Sequence, residues 1–423
     1  MTPAPGRVII RRMSAELTDR GEPAPLEVVI AGGGVAAFET ALALHDLAGA
    51  RAAITVVAPG PELVEEAMSV AEPFALGHAG HHPVADLVAH VGGRLVADRL
   101  HHVDMARRVV ILGEGAELAY DVLVVAVGAR RRVRERHALT FLGSESTEGV
   151  AELREELHAG GLKRLALVVP EGMTWPLPLY ELAVLLGSGV RAHGVRDARL
   201  WLLTPELDPL EAFGRRSSQA VATLLARSGV TFVGSATAQI SAGAVHFGAG
   251  RRLDVGRIVT LPVLTGPRVP GVPCDGDGFI PVDEYGRVRD VFDVYAVGDG
   301  AAFPIKQGGL AAQQADAAAS AIAAEAGAPV DPKPFRPVLR GTLLTEEASL
   351  SMRHALARGS GGGVAAERAL WTPAGKVAGR YLAPYLREHG EAAGGQEEGG
   401  GPELESLGPR PRRRDRPPPG TAS

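Results

Sequence analysis

Apolar positions along this chain follow two rhythms. Short continuous runs rich in Val, Ile and Leu predict buried strands, and stretches with apolar residues three and four apart predict helices. The first runs are Val28–Ala31 and Ala53–Ala58, with a helix over Ala37–Leu47 between them. A helix over Pro83–Val91, a strand over Gly93–Val103, a hairpin from Arg108–Leu112 and Leu118–Tyr120, and a buried strand over Asp121–Val127 complete a first cycle. A second cycle begins near Ser144. It has helices over Gly149–His158, Leu179–Leu186 and Ser217–Arg227, and strands over Leu165–Pro170, Leu200–Thr204, Val230–Val233 and Arg257–Leu261. Val294–Asp299 reads as a strand returning to the first cycle, and an Ala-rich helix follows over Gly309–Ala326. Strands that alternate with helices imply an α/β fold with parallel sheets.

The first strand runs into Gly32-Gly33-Gly34-Val35-Ala36-Ala37, a G-x-G-x-x-A turn that opens the first helix. Gly32 permits the tight turn, Gly34 lets the backbone approach a pyrophosphate, and the small Ala37 lets helix and strand pack closely. The pyrophosphate then sits on free N–H groups at the positive end of the helix. Strand, turn and helix together make this a dinucleotide-binding start. The expected architecture is therefore two Rossmann-like domains with a small C-terminal segment. Residues 1–25 form an arm, residues 26–135 and 275–330 the first domain, and residues 136–274 the second. Residues 331–388 form the C-terminal segment, and 389–423 a tail too poor in apolar surface to order itself.

Composition narrows the possibilities. The net charge of −5 gives no general case for nucleic-acid binding. No apolar run approaches the roughly 18 residues of a membrane span, and residues 1–25 lack the apolar core of an export signal, so a cytoplasmic location is expected. Cys274 is the single cysteine, which excludes both an intramolecular disulfide and a redox-active cysteine pair within one chain. The clusters His78, His81, His82 and His101, His102 have no carboxylate or thiolate at ligand spacing, so no metal is expected.

Three separated motifs then coincide: the glycine turn, Tyr120–Ala129 (YDVLVVAVGA) and Asp293–Asp299 (DVYAVGD). Their order and spacing resemble the FAD-dependent pyridine nucleotide–disulfide oxidoreductase superfamily over about Leu26–Ala326. The resemblance implies FAD as cofactor. Gly32, Gly34 and Ala37 would hold its pyrophosphate, and Ala126 and Gly128 would mark the crossing between domains. Gly298 and Asp299 would meet its ribityl chain. Pro170–Glu181 (PEGMTWPLPLYE) is similar to the matching region of sulfide:quinone oxidoreductases, but none of that family's redox cysteines is present. Trp175 stands about where one would be, so persulfide chemistry is argued against. Type II NADH dehydrogenases are the other similar branch.

Two departures matter. Ala58-Pro59-Gly60 occupies the end of the second strand, where an acid normally holds the adenosine ribose, and Glu62 is the nearest acid. After the strand Leu165–Val169, one Gly and three Pro stand where a second G-x-G-x-x-G would bind NAD. Phe303–Ala315 resembles the quinone-side segment of the two branches, where a helix N-terminus faces the flavin's pyrimidine edge. Lys306 is the candidate cation there, because a helix dipole and a cation both favour negative charge. Gln313 and Gln314 are candidates to hydrogen-bond a quinone carbonyl or the flavin. Glu181, at a helix start among apolar residues, reads either as a proton carrier near the flavin or as a dipole-favoured helix acid. Trp371–Leu386 mixes aromatic and basic residues, which suits either the inner face of the cell membrane as a peripheral contact or packing onto the first domain.

The expected activity is an FAD-dependent oxidoreductase that takes two electrons from a small-molecule donor and passes them to a quinone-like acceptor, with Lys306 and Glu181 as catalytic candidates. An NAD(P)H-dependent reductase with an atypical donor site and a non-catalytic flavin-binding scaffold are the alternatives. The sequence leaves the donor, the acceptor and the oligomeric state open.

Overall fold

The computed structural model describes residues 24–356, 363–372 and 375–389. The arm, apart from its last two residues, and the Arg/Pro-rich tail therefore lie outside the described residues.

Strand β1 (Leu26–Ala31) leads into helix α1 (Val35–Ala48), and β2 (Ala52–Val57) and β3 (Arg94–Val96) follow. The run expected as one strand over Gly93–Val103 breaks after Val96. Asp98 turns the chain by accepting from the Arg99 and Glu114 N–H groups, and Leu100–Asp104 instead joins an antiparallel sheet with Val109–Leu112 and Glu117–Ala119. Strand β4 (Val122–Val125) re-enters the first sheet, buried along its whole length. Strand β5 (Arg130–Arg132) then crosses to the second sheet, which opens with β6 (Leu139–Thr140).

The second sheet continues with α2 (Thr147–His158), β7 (Arg164–Val168), α3 (Leu177–Ala192), β8 (Arg199–Leu203), α4 (Arg215–Arg227), β9 (Val230–Val233) and β10 (Arg257–Thr260). Strand β11 (Val263–Thr265) returns antiparallel beside β5, so both crossings form one two-stranded ribbon. Strand β12 (Val294–Ala296) completes the first sheet, in the order β12-β4-β1-β2-β3. The second sheet has the order β6-β10-β7-β8-β9, and every pairing in both sheets is parallel.

Helix α5 (Gly308–Glu325) packs along α1. Alanines on both helices (Ala36, Ala37, Ala41, Ala311, Ala318, Ala319) allow the close approach, and they join one core with Phe38, Leu44 and Ile322. The C-terminal segment forms an antiparallel sheet not anticipated from its sequence: β13 (Val338–Leu343), β14 (Leu350–Ala355) and β15 (Val364–Ala366). It ends in α6 (Leu382–His389). Pro384 lies in the first turn of that helix, where no intrahelical N–H bond is lost.

Candidate functional site

Strand register builds the site. Ala31 pairs with Val125, and Val125 pairs with Ala296. The residues that follow each strand, Gly32–Gly34, Ala126–Gly128 and Val297–Asp299, therefore leave the sheet together at one edge. Parallel strands are about 4.8 Å apart, so these three motifs, far apart in sequence, meet within one cleft.

The glycine turn is shaped by close approach. Gly32 has a φ of +143°, and a Cβ there would stand 2.2 Å from the Ala126 carbonyl oxygen. Ala37 is fully buried beneath the turn. Gly34 caps α1 with no side-chain hydrogen bond, and the first helical bond runs from Phe38 N–H to its carbonyl. The N–H groups of Val35, Ala36 and Ala37 thus have no intrahelical partner. A Cβ built on Gly34 meets nothing within 4 Å, and the first turn holds no acidic side chain. Open space above unsatisfied donors at a positive helix end fits a pyrophosphate.

At the third motif, Gly298 donates its N–H to Gln314 Oε1 at 2.8 Å. Gln314 therefore positions the turn that carries Asp299. The Asp299 carboxylate makes no hydrogen bond within the described residues. Burial raises its pKa, and the charges of Lys306 and Arg131 oppose the rise. Lys306 is 5% exposed, donates to the Ala301 carbonyl at 2.5 Å, and lies 3.8 Å from the centre of the Phe279 ring. Burial pushes its pKa down to about 8 against the pull of Asp299 and Asp275, so at pH 7 it still carries its proton. Gln307, just before α5, caps that helix by accepting from Leu310 N–H at 2.9 Å.

The cleft does not use every residue picked from the sequence. Gln313 gives both ends of its amide to Val338 of β13 and also donates to the Gly309 carbonyl. Gln313 is thus engaged at both ends of its amide, and Gln314 is engaged through its Oε1 by Gly298. Glu62 pairs with His81 at 2.8 Å on the surface rather than standing in for the missing ribose acid. Glu181 is 1% exposed, accepts from Lys376 Nζ at 2.6 Å and from Leu344 N–H at 2.9 Å, and so holds the C-terminal segment. Of the two roles expected for Glu181, a proton carrier near the flavin and a dipole-favoured helix acid, the structure shows neither directly and adds a third, a buried ion pair with Lys376. The aromatic and basic segment, which suits either a membrane face or packing onto the first domain, is packed inward at several positions: Lys376, Val377, Leu382, Tyr385 and Leu386 are buried, and all but Lys376 join the core of the first sheet. Among the described residues no helix is long and apolar enough to cross a membrane, and no group of side chains suits a metal ion.

The second sheet carries a matching edge, and it is filled. Glu206 lies just past β8, the position that holds a ribose in a dinucleotide unit. Here it accepts from the Tyr180 hydroxyl at 2.6 Å and from Thr204 Oγ1 at 3.1 Å. Burial raises the Tyr180 pKa far above its ordinary value, so the phenol stays a donor. Strand β13 lies against the first turn of α3: a Cβ on Gly341 would come within 2.6 Å of the Phe213 ring and 3.4 Å of Leu177. Trp175 packs on the same Phe213, with ring centres 5.8 Å apart. The proline-rich turn was visible in the sequence, but the capture of Glu206 by Tyr180 was not.

Glu39 also escaped sequence reading. It is fully buried on α1 and accepts from the N–H groups of Arg380, Tyr381 and Leu382 at 2.6, 2.9 and 2.7 Å. A carboxylate there caps α6 and favours its positive end. The signal was a lone acid inside the apolar run Ala36–Leu44. Asp316 faces Glu39, and its Oδ1 is buried without a hydrogen-bond partner. Burial and the Glu39 charge push Asp316 up to about 8. Because Glu39 has three N–H donors, the proton of the pair resides on Asp316.

A family model described as pyridine nucleotide-disulphide oxidoreductase matches residues 26–321. Among curated proteins, the ferredoxin reductase component of chlorobenzene dioxygenase from Cupriavidus sp. (strain PS12) is 28% identical over 326 residues, covering 71% of this chain and 75% of that protein. Peroxisomal monodehydroascorbate reductase 1 from Oryza sativa subsp. japonica is 29% identical over 230 residues, covering 50% and 45%. Among solved structures, the sulfide:quinone oxidoreductase of Aquifex aeolicus matches with a TM-score of 0.73 at 18% identity, covering 86% of this chain and 90% of that one. A ferredoxin reductase from Rhodopseudomonas palustris matches with a TM-score of 0.57 at 20% identity, covering 78% and 82%. The structural matches bear on the fold, and the family match bears on the chemistry. The chain belongs to the pyridine nucleotide-disulphide oxidoreductase family and is an FAD-dependent oxidoreductase.

Proposed function

We propose that this enzyme passes two electrons from a small-molecule donor, through FAD, to a quinone-like acceptor, and that no dinucleotide donor uses the second sheet. The observation that carries the reading is the filled edge beside α3. Glu206 is held by Tyr180 and Thr204, and β13 packs against Leu177, the first residue of α3. The resemblance of Phe303–Ala315 to a quinone-side segment motivates the acceptor class.

FAD supplies the two-electron redox chemistry. The chain supplies the rest. Gly32, Gly34 and the open first turn of α1 hold phosphates. Ala126 and Gly128 wall the cleft, and Asp299 offers a free carboxylate to hydroxyl groups. Lys306 keeps a positive charge beside Asp299, just ahead of the positive end of α5. Together they favour negative charge at that end of the cleft.

Anaerobic stopped-flow mixing of the purified holoenzyme with NADH and with NADPH tests the reading. No fast bleaching of the flavin by either is expected, and dithionite-reduced enzyme should be reoxidised by a water-soluble quinone. Rapid bleaching by one nucleotide would favour the second reading, an NAD(P)H-dependent reductase, which the reductase names of the curated relatives support. Purified protein that is colourless and takes up no FAD would refute both.

A further inference from the structure

Residues Lys376–Leu382 run across three helices. Lys376 meets Glu181 on α3, and Ala378 packs on the first turn of α5, 3.5 Å from where a Cβ on Gly309 would stand. The N–H groups of Arg380, Tyr381 and Leu382 then donate to Glu39 on α1. The segment is thus a strap with a buried carboxylate at each end, and the two anchors differ. Glu181 faces a cation at 2.6 Å. Glu39 faces a second acid, Asp316 of α5, and neither carboxyl group has an ion pair among the described residues. Arg340 of β13 and Arg380 of the strap act on Asp316 through their charge alone. Arg353 of β14 stands directly opposite Arg340 and opposes its charge, and Arg340 Nε is buried without a hydrogen-bond partner. Tyr381, with Asp46 of α1 beside it, also faces the pair. The fit is tight, since a Cβ on Gly379 would run into the Glu39 carboxylate.

We propose that Lys376–His389 is a pH-responsive strap, closed while Glu39 and Asp316 share one proton and opened locally at its Glu39 end when that proton is lost. With the proton, Asp316 is a neutral donor, and Glu39 keeps a single negative charge for its three N–H groups. Without it, two negative charges face each other beneath the strap. Both side chains stay on their helices, and opening relieves the repulsion by letting water reach them. Leu382, Tyr385 and Leu386, buried in the core of the first sheet, oppose opening at every pH. The closed pair keeps its proton up to about pH 8, whereas a solvated Asp releases it near 3.8. Opening therefore frees one proton between these values. The ratio of open to closed strap rises about tenfold per pH unit up to about pH 8 and then levels off. The rings along α6 give the opposite sign. His90 of α2 and His389 pack around Tyr385, with His45 of α1 and Asp86 of α2 nearby. Charging these histidines loosens the strap as pH falls. Nothing in the pair depends on which donor or acceptor the flavin meets.

The test is amide hydrogen exchange of the FAD-loaded full chain between about pH 6 and pH 9, read by mass spectrometry on peptides covering Arg380–His389. Rates divided by the intrinsic rate at each pH give an opening constant. It should rise about tenfold per pH unit to about pH 8 and then stay level. It should also exceed that of β7 at least about tenfold throughout, which marks a local event. Asp316→Asn keeps a donor toward Glu39 that no base removes, and should abolish the rise with flavin absorbance unchanged. Glu39→Gln removes the like charge and should shrink the rise, which serves where Asp316→Asn does not fold. A wild-type constant indifferent to pH would overturn the strap, and one that rises as pH falls would overturn it in favour of the histidines. A single constant shared with β7 would make the event global unfolding and overturn it. A rise that survives Asp316→Asn would place the proton on another group and overturn it as well.

Discussion

Gly34→Asp should separate the stability of α1 from its capacity to bind FAD. Gly34 has φ −106° and ψ −172°, extended backbone that any residue adopts, and its Cβ direction is clear to 4 Å. Asp is among the best helix N-caps, and the first turn of α1 has neither a side-chain cap nor an acid. Capping one orphan N–H and meeting the helix dipole should stabilise the FAD-free protein by about 0.5–1 kcal/mol, which raises its Tm by about 1–2 °C. The same carboxylate stands where the pyrophosphate must sit. At about 4 Å and an effective dielectric of about 20, two like charges repel by about 4 kcal/mol, or roughly a thousandfold in affinity. The assay is paired: thermal melts of flavin-stripped protein, and fluorescence titration of it with FAD. Gly34→Ala is the control, adding the Cβ without the charge. A variant that melts higher yet binds FAD like wild type would refute the placement of the pyrophosphate. A variant that melts lower would refute the claim of free space at the helix start.

Three further outcomes follow from the buried charges. Lys376→Met strands the Glu181 carboxylate in the core and should destabilise the fold by about 3–5 kcal/mol, while the double variant with Glu181→Gln should recover much of the loss in a thermal melt. Asp316→Asn mimics the protonated form. In the wild type, Asp316 keeps a proton up to about pH 8 that the unfolded chain has released near its ordinary value of 3.8, so stability falls as pH rises between these values. Melts from pH 6 to pH 8 should show a wild-type loss of about 1.4 kcal/mol per pH unit that the variant lacks. Lys306→Met should lower the flavin midpoint potential at pH 7 by roughly 20–40 mV, the equivalent of about 1–2 kcal/mol of lost charge stabilisation. The difference should fade above about pH 9, where the wild-type amine has itself lost its proton. Equal potentials at pH 7 would remove Lys306 from the flavin's surroundings.

What the sequence made legible was local. Val28–Ala31, Asp121–Val127 and Val294–Ala296 each announce a buried strand by unbroken apolar character, and each motif follows its strand directly. The parallel register then has little freedom but to bring Gly32, Ala126 and Gly298 to one edge. What was hidden depends on partners remote in sequence. Glu39 captures backbone at residues 380–382, Glu181 meets Lys376, and Gln313 meets Val338. Each is a polar side chain on a mostly apolar helix face. Periodicity flags such a residue as anomalous without saying whether it serves chemistry or docking. Lys306 and Glu181 illustrate this: both are buried charges near helix starts, yet one sits beside the motif cleft and the other is consumed by the C-terminal segment.

The filled edge of the second sheet can be weighed energetically. On the proposed reading, a dinucleotide entering there would displace β13 from α3 and release Glu206. Leu339 and Leu343 on β13 and Met352 on β14 are fully buried. Exposing three such side chains costs about 5–9 kcal/mol as an upper estimate. Releasing the Tyr180–Glu206 bond adds about 1–3 kcal/mol unless the ligand replaces it. A micromolar site supplies only about 8 kcal/mol. If β13 has to move in this way, a dinucleotide with good intrinsic contacts is expected to bind this edge only weakly. Removing one contact does not reopen it, since Tyr180→Phe frees Glu206 while β13 still covers Leu177. The prolines of residues 170–178 thus understate the departure from a dinucleotide site: the turn is altered, the acid is occupied and the surface is covered, each by a different part of the chain.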